Sequence, residues 1–169
     1  MTSSLLAILS LGSNLGDRGR TLSDAVDELA ALDGIVLNGL SSVYETVALK
    51  PDGADAAAPR YLNQVVSLTT TMEPAALLAA LNRIEHDHGR TRDVRWADRT
   101  LDIDMVTMGD LELQTETLVL PHPQAAVRAF VVVPWLELDP EAQLPGIGRI
   151  DALPAALEDV PRYRAEADS

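Results

Sequence analysis

The sequence lacks several features that would each point to a class of protein. It contains no cysteine, which excludes disulfide bonds and thiolate metal sites. It has no run of about 18 apolar residues, and it does not start with a basic segment followed by an apolar stretch and a cleavage site. We therefore expect a soluble, unexported, cytoplasmic protein that has no membrane partner.

Positive charge is also scarce, since the formal net charge at pH 7 is −13. Such an acidic chain is not expected to bind nucleic acid. Lys50 is the only lysine, so the other 12 of the 13 basic Lys and Arg residues are arginines. Guanidinium groups bind phosphate oxygens in bidentate fashion. Two interpretations are open: a localised anion site, or a solvated basic patch paired with nearby acids. Five arginines lie close together in the sequence, at Arg83, Arg90, Arg92, Arg95 and Arg99.

The length of 169 residues and the hydrophobic fraction of 47% are typical of one globular domain. We predict a domain over residues 1–160 and a loose acidic tail over residues 161–169. A monomer is expected, with the oligomeric state left open by the sequence.

Hydrophobic periodicity predicts strands and helices in irregular alternation. Residues 130–138 fit either a strand or a helix. Residues 111–113 are predicted to form a short hairpin after the turn at Gly109. Antiparallel hairpins then favour an α+β domain with helices packed on a mixed or antiparallel sheet. Strands are predicted over 5–11, 35–46 (with a bend or bulge at Gly39), 61–71 and from 101. Helices are predicted over 18–33 (capped by Gly34), 74–88 and 150–157. A helical turn is predicted over 124–128 and a loop over 50–59.

The pair Asp102 and Asp104 is the strongest local signal. Strand alternation places both carboxylates opposite the apolar Ile103 and Met105, roughly 7 Å apart. Two such carboxylates repel each other unless a cation lies between them, and hard oxygen ligands suit Mg²⁺ with a polyphosphate. The alternative interpretation is a solvated strand face beside a basic loop.

Three further side chains are candidates for a functional site, and each also has a simpler structural interpretation. For Glu85, the pattern favours a solvated acid on a helix face. His122, between two prolines, fits either a hydrogen-bond donor to a phosphate or the cap of a turn. Trp96, in the arginine-rich loop, fits a stacking face for a planar ring or a packing anchor. No arrangement for covalent nucleophilic catalysis is present, so electrostatic stabilisation of a polyanion is the chemistry that remains.

These segments, taken in order, resemble the 6-hydroxymethyl-7,8-dihydropterin pyrophosphokinase family. Each motif is weak alone, but their order over about residues 5–140 is specific. The motifs are Leu11-Gly12-Ser13-Asn14-Leu15-Gly16-Asp17, Val43-Tyr44-Glu45-Thr46, Tyr61-Leu62-Asn63, Ile84-Glu85, Gly89-Arg90-Thr91-Arg92, Arg99-Thr100-Leu101-Asp102-Ile103-Asp104, Pro121-His122-Pro123 and Arg128-Ala129-Phe130-Val131.

The resemblance implies a ferredoxin-like fold and transfer of pyrophosphate from ATP to the pterin hydroxymethyl group in folate biosynthesis, with release of AMP. It implies two Mg²⁺ ions held by Asp102 and Asp104, and catalytic roles for Arg90 and Arg99. The implied ATP contacts are Glu85, Arg92, Trp96, Met105, His122 and Arg128. The implied pterin contacts are Thr46, Leu49, Tyr61, Asn63, Trp96 and Phe130.

The chain departs from the family pattern in two loops. Ala97-Asp98 stands where Gly-Pro is usual, and the carboxylate of Asp98 beside Arg99 would compete with phosphate. Ala48 and Lys50 replace a usual proline and glycine, and the loop over 47–60 is longer. An alternative function is therefore a paralogue that binds pterin or nucleotide with weak or no turnover.

Overall fold

The computed structural model describes residues 4–14, 17–46, 48–50, 53–55, 60–88 and 101–163, with the backbone alone described for 48–50 and 53–55. The strands are β1 (Leu5–Ser13), β2 (Ile35–Leu40), β3 (Tyr44–Thr46), β4 (Ala48–Lys50), β5 (Gly53–Asp55), β6 (Tyr61–Thr70), β7 (Asp102–Met108), β8 (Leu113–Gln114), β9 (Val119–Leu120), β10 (Gln143–Leu144) and β11 (Gly148–Arg149). The α-helices are α1 (Arg18–Ala30), α2 (Pro74–Asp87) and α3 (Ala129–Leu138), and short 3₁₀ turns cover Ala125–Val127, Ile150–Ala152 and Pro154–Leu157.

The main sheet has the strand order β2-β6-β1-β7, and every neighbouring pair is antiparallel. β3 pairs with the beginning of β6, beyond the end of β2. The helices α1 and α2 connect β1 to β2 and β6 to β7, which gives the βαββαβ order of the ferredoxin-like fold. The predicted antiparallel α+β domain is confirmed.

Both faces of the sheet are covered, which explains why β1 is apolar almost throughout. On one face, Leu9 and Leu11 pack in a core with Leu22 and Leu29 of α1 and with Leu81 of α2. On the other face, a second core joins the sheet to the third helix through Ile8, Val65, Val106, Val132 and Trp135. α3 is apolar apart from Glu137, because most of it is buried in this second core.

The ends of α1 and α2 follow from local chemistry. Asp17 caps α1, since its Oδ1 accepts from the backbone N–H of Arg20 at 3.2 Å. Pro74 occupies the first turn of α2, where its missing N–H has no intrahelical partner to lose. α1 ends at Ala30, three residues before the predicted end. Gly34 therefore does not cap it, and instead adopts φ +82° in the turn that enters β2.

Two strand predictions need correction. The predicted strand over 35–46 is divided into β2 and β3, with the expected irregularity between Leu37 and Gly39. The predicted hairpin after Gly109 is wrong, because β8 pairs with β9 and not with the strand before the turn. Within the predicted loop over 50–59, β5 pairs with β4.

The other open segments are now assigned. Residues 130–138 are helical in α3, although Pro134 lies inside the helix. The helical turn predicted over 124–128 and the helix predicted over 150–157 are present as 3₁₀ turns.

The predicted loose tail begins too early. Residues 161–163 are bonded to β3, since the N–H of Glu45 donates to Pro161 O at 2.9 Å and the N–H of Tyr163 donates to Val43 O at 2.8 Å. For residues 164–169, which lie outside the described residues, the loose tail stays a prediction. In the described part of the chain, no helix has the length and apolar character needed to cross a membrane.

Candidate active site

The candidate site lies on the α3 face of the sheet, where the cover of α3 ends. Gly12 in β1 is paired with Asn63 in β6 and with Asp102 in β7. One step along the strands, Ser10 is paired with Asp104. Alternation along β1 places Ser10 and Gly12 on the face of Ile8, which is buried in the second core. The sheet face thus changes from apolar to polar at this point.

Asp102 and Asp104 lie on the polar face, as predicted from the strand pattern. Their neighbours Ile103 and Met105 are buried, with 5% and 4% of their surface exposed. The Asp104 side chain is 45% exposed and lines the same cavity as Asp102. The predicted juxtaposition of two carboxylates is therefore confirmed, whereas their binding of a metal ion stays a prediction.

Two cavities meet at these carboxylates. We call them cavity A, with a volume of about 530 Å³, and cavity B, with a volume of about 370 Å³. Asp102, Asp104 and His122 line both. Cavity A is further lined by Ser10, Gly12, Thr46, Tyr61, Asn63, Gln124, Val127, Arg128 and Phe130. Cavity B is further lined by Leu78, Asn82, Glu85, Ile103, Met105, Thr115, Glu116, Thr117, Leu118, Val119 and Pro123.

Four of the residues predicted to contact pterin line cavity A: Thr46, Tyr61, Asn63 and Phe130. Asn63 is 4% exposed and its Nδ2 donates to Thr46 Oγ1 at 2.7 Å, which joins β3 to β6 at the cavity wall. The fifth, Leu49, lies in β4, where only the backbone is described. Trp96 lies outside the described residues.

Gly12 makes the close packing of this wall possible. A Cβ at position 12 would lie 3.3 Å from Asn63 Oδ1 and 3.5 Å from Tyr61 Cδ1. The first distance is shorter than ordinary van der Waals contact, so any larger residue would displace the Asn63 amide. Glycine here serves close approach between strands and not an unusual backbone conformation.

The residues predicted to contact ATP are divided between the two cavities. Glu85, Met105 and His122 line cavity B, and Arg128 lines cavity A. Arg92 and Trp96 lie outside the described residues, as do the predicted catalytic residues Arg90 and Arg99 and the discordant Asp98. Their placement is therefore not part of the site geometry.

Glu85 is not the solvated helix-face acid that the sequence pattern favoured. It is 4% exposed, and its Oε2 accepts from the backbone N–H of Ile103 at 2.8 Å. β7 lies at the edge of the sheet, and this bond fastens α2 to the residue between the two aspartates. A signal was present in the sequence, because Glu85 follows the buried Leu81 by four residues and so shares its helix face.

Both the backbone and the imidazole ring of His122 form hydrogen bonds that fix its position. Its N–H donates to Val106 O at 2.9 Å, and its Nδ1 accepts from the N–H of Gln124 at 3.1 Å. Burial lowers the pKa of His122 below its usual 6.5, Asp104 acts in the opposite direction and Arg128 lowers the pKa further. The ring is therefore neutral at pH 7, with the proton on Nε2, where it can donate to an anion.

Arg128 is the cation closest to the carboxylates among the described residues. Its Nη1 lies 3.5 Å from Asp104 Oδ2, and its Nη2 donates to Gln124 Oε1 at 2.8 Å. The guanidinium carbon also lies 5.5 Å from the centre of the Phe130 ring. Arg128 thus links the carboxylate pair to the aromatic side of cavity A.

The sequence did not indicate Ser10, Gly12 or Gln124 as cavity residues. Ser10 and Gly12 interrupt an apolar strand at alternate positions, which is a signal for a polar patch on one face. Their partners across the sheet depend on register, which the sequence pattern leaves undetermined.

The pair Asp102 and Asp104 fits the Mg²⁺ that the resemblance implies. Both provide hard oxygen atoms at a cavity wall, and Mg²⁺ is commonly bound by one or two carboxylates while phosphate and water oxygens complete its coordination. Among the described residues, no group of three or more His, Asp or Glu side chains is arranged to hold a metal ion by itself. The chemistry of the pair therefore suits a metal that arrives with a phosphate ligand.

A ferredoxin-like fold with a carboxylate pair between two cavities defines a class of α+β domain with room for two ligands on either side of that pair. Comparison with known proteins identifies the family within this class. The family model for 7,8-dihydro-6-hydroxymethylpterin-pyrophosphokinase (HPPK) matches residues 8–140. This chain belongs to the HPPK family, which confirms the resemblance seen in the sequence.

Individual relatives agree with this assignment. The 2-amino-4-hydroxy-6-hydroxymethyldihydropteridine pyrophosphokinase of Bacillus subtilis is 38% identical over 133 residues, which cover 79% of this chain and 77% of that protein. The protein of the same name from Mycobacterium leprae is 41% identical over 169 residues, covering 92% and 84%.

Solved structures confirm the fold. Plasmodium falciparum wild-type HPPK-DHPS with pterin and p-hydroxybenzoate matches with a TM-score of 0.66 at 14% identity. The match covers 89% of this chain but only 42% of that one. At this identity the likeness shows the fold alone.

Proposed function

We propose that this chain transfers a pyrophosphoryl group from ATP to 6-hydroxymethyl-7,8-dihydropterin and releases AMP, the reaction of folate biosynthesis that gives its family its name. The observation in the structure that carries this proposal is the meeting of two cavities at Asp102 and Asp104. A transfer between two substrates requires both to reach one place, and the carboxylate pair, with His122, forms the wall that the two cavities share.

Cavity A is assigned to the pterin and cavity B to ATP. The Asn63 amide and the Thr46 hydroxyl suit the hydrogen-bonding edge of a pterin, and the Tyr61 and Phe130 rings suit its flat faces. The wall of cavity B supplies the apolar Leu78 and Met105 beside polar side chains such as Asn82, which suits a nucleoside.

The reaction joins the pterin hydroxymethyl oxygen to the β-phosphorus of ATP. The bond between this phosphorus and the oxygen that bridges to the α-phosphorus breaks, AMP leaves with that oxygen, and the hydroxyl proton is released. Bound Mg²⁺, of which we propose two ions, supplies positive charge to the phosphate oxygens. No protein nucleophile takes part, so positioning and charge account for the catalysis.

The chain's own residues then have distinct tasks. Asp102 and Asp104 hold the cations, His122 donates from Nε2 to a phosphate oxygen, and Arg128 provides a positive charge beside Asp104. We assign Arg90 and Arg99 to the transferring group and Arg92 and Trp96 to ATP on the basis of the sequence motifs. Trp96 and Leu49 are assigned to the pterin on the same basis.

We further propose that the protein acts as a cytoplasmic monomer. Its substrates are small and diffusible, and its net charge of −13 disfavours nucleic acid as a partner. Sedimentation of the purified chain tests the monomer, and a species of twice the mass would contradict it.

Release of AMP from ATP with magnesium, measured with and without the hydroxymethyl dihydropterin, tests the function. We expect AMP only when the pterin is present, in amounts equal to the pterin diphosphate formed. Binding of both ligands without AMP would instead support the paralogue with weak or no turnover. Formation of ADP would exclude both functions.

A further inference from the structure

The strand β3 is held on both of its edges. On one edge, Tyr44, Glu45 and Thr46 pair with residues 61–63 of β6. On the other edge, residues 161–163 form a one-bridge antiparallel pair, in which Tyr44 is opposite Arg162. We call residues 158–163 the C-terminal strap. A strand of three residues is weak when paired on a single edge, so the strap is a large part of what fixes β3.

Side chains fasten the strap to α3. Glu137 of α3 accepts from the backbone N–H of Ser42, at the start of the β3 segment, and its Oε2 lies 3.5 Å from the Tyr44 hydroxyl. The same oxygen lies 3.8 Å from the Arg162 guanidinium, which also stands over the Tyr44 ring at 5.9 Å. The Glu137 side chain is 24% exposed, so it joins three segments from a partly buried position.

A second set of contacts fastens the other end of the strap. Arg18, at the start of α1, donates to Glu45 Oε2 at 3.2 Å and to the backbone oxygen of Arg60 at 2.7 Å. Its guanidinium carbon lies 5.6 Å from the centre of the Tyr163 ring. The strap, β3 and the start of β6 are thereby tied together on the side opposite to Glu137.

The strap lies directly behind the wall of cavity A. A third cavity of about 340 Å³ is lined on one side by residues 158–161 of the strap and on the other by Thr46, Val127, Arg128 and Phe130. Those four residues also line cavity A. Through β3 the strap reaches Thr46, whose Oγ1 accepts the hydrogen bond that orients the Asn63 amide.

We propose that the C-terminal strap is a positioning element for the pterin-side pocket. Its bonds to Val43 and Glu45 hold Thr46, and Thr46 in turn holds Asn63 in the orientation that binds the pterin. Arg162 and Tyr163 are positioning residues that act through β3. The inference rests on the proposed function, because it takes cavity A as the pterin pocket.

A pair of truncations separates the strap from the residues that follow it. A chain that ends at Asp159 loses the bonds to β3, whereas a control chain that ends at Tyr163 retains them. We expect the shorter chain to show a KM for pterin raised about tenfold, the order expected for losing two backbone hydrogen bonds. The KM for ATP and the kcat at saturating pterin should change less than about twofold. The control chain should match the full-length protein.

Amide hydrogen exchange provides an independent readout. The N–H of Glu45 should exchange faster by about tenfold or more in the chain that ends at Asp159. Should that chain fail to fold, Arg162→Ala decides the matter, with Arg149→Ala as the control, since Arg149 is also exposed and its guanidinium pairs with Asp151. For Arg162→Ala we expect the same pattern with a smaller effect, namely a raised KM for pterin and an unchanged KM for ATP.

An unchanged KM for pterin in a folded, turning-over truncated chain overturns the inference and leaves the proposed function intact. If kcat falls and both KM values rise in proportion while the fold melts, the strap has a structural role only. That result also overturns the inference. A full-length chain that neither turns over nor binds pterin by calorimetry overturns the proposed function itself.

Discussion

At the scale of single residues, Gly12 shows how the absence of a side chain shapes a binding site. The Asn63 amide and the Tyr61 ring lie close over its Cα, and all three residues line cavity A. No ligand contact is needed for this effect, because the glycine acts through the position of its neighbours.

Gly12→Ala tests this role. We expect the fold to remain and the affinity for pterin to fall about fivefold, because a displaced Asn63 loses the order of 1 kcal/mol in hydrogen bonding. Gly19→Ala is the matched control, since a Cβ at position 19 meets nothing within 4 Å. Calorimetric titration with pterin compares the two variants. Equal affinities would contradict the packing role of Gly12.

His122 gives the site a dependence on pH. Its pKa is lowered by burial, so in the folded protein it stays neutral at pH values where the unfolded chain binds a proton. The unfolded state therefore gains protons first as the pH falls. The stability linked to the neutral ring is present above about pH 6.5 and is lost as the pH falls toward and through the lowered pKa.

His122→Asn should remove this part of the pH dependence. We expect the Tm of the metal-free wild type to fall more than that of the variant between about pH 7.5 and about pH 5.5. His86→Asn, at an exposed position on α2, should behave as the wild type. Thermal unfolding of all three proteins across this range provides the measurement. Parallel curves for wild type and His122→Asn would show that the ring does not contribute.

At the scale of elements, the bond from Glu85 to Ile103 explains how an edge strand is kept in place. Among the described strands β7 pairs with β1 alone, and α2 provides the acceptor for an N–H on its other side. The bond falls between Asp102 and Asp104, so it fixes the backbone that directs both carboxylates.

Glu85→Ala leaves the buried N–H of Ile103 without this acceptor, and we expect a loss of about 2 kcal/mol in the free energy of unfolding. Glu85→Gln keeps an acceptor oxygen and should lose less than about half of that. Glu116→Ala, at an exposed position on the wall of cavity B, is the control. Urea denaturation measures all three. Equal losses for Ala and Gln would show that the backbone bond is not the cause.

The elements that could be predicted are those in which apolar residues recur at regular spacing. The positions of β1, α1, β6, α2 and β7 follow from apolar spacing, and so does the common face of Asp102 and Asp104. The break between β2 and β3 could not be predicted, because Ser41 and Ser42 bond there to residues far along the chain, at Gln64, Val65 and Glu137. The strap at 161–163 likewise depends on distant partners, since it bonds to Val43 and Glu45.

α3 could not be assigned because burial removes the polar face that marks a helix. Glu137 is the only charged residue of α3, and Pro134 weakens the helical pattern further. The arrangement of the site also depends on features that a local sequence pattern does not contain. Ser10 and Gly12 meet Asp104 and Asp102 through the register of β1 with β7, which is decided by the whole sheet.

At the scale of the whole molecule, the charge distribution has a consequence for the substrates. A protein with a net charge of −13 repels a polyphosphate unless positive charge is concentrated where it binds. Arg128 beside Asp104 provides part of that concentration, and under the proposed function the arginines clustered in the sequence at 83–99 and Mg²⁺ would provide the rest. The carboxylate pair is thus the place where an acidic protein and an anionic substrate become compatible.

The rate of pterin-dependent AMP formation by Asp102→Asn and Asp104→Asn tests the role of the carboxylate pair. Each variant keeps the size of the side chain and removes one charge, so we expect an unchanged fold and a rate at least about a hundredfold lower. Asp110→Asn, in the exposed turn after β7, should retain the wild-type rate. Wild-type rates in either site variant, with magnesium and both substrates present, would contradict the role of the carboxylate pair.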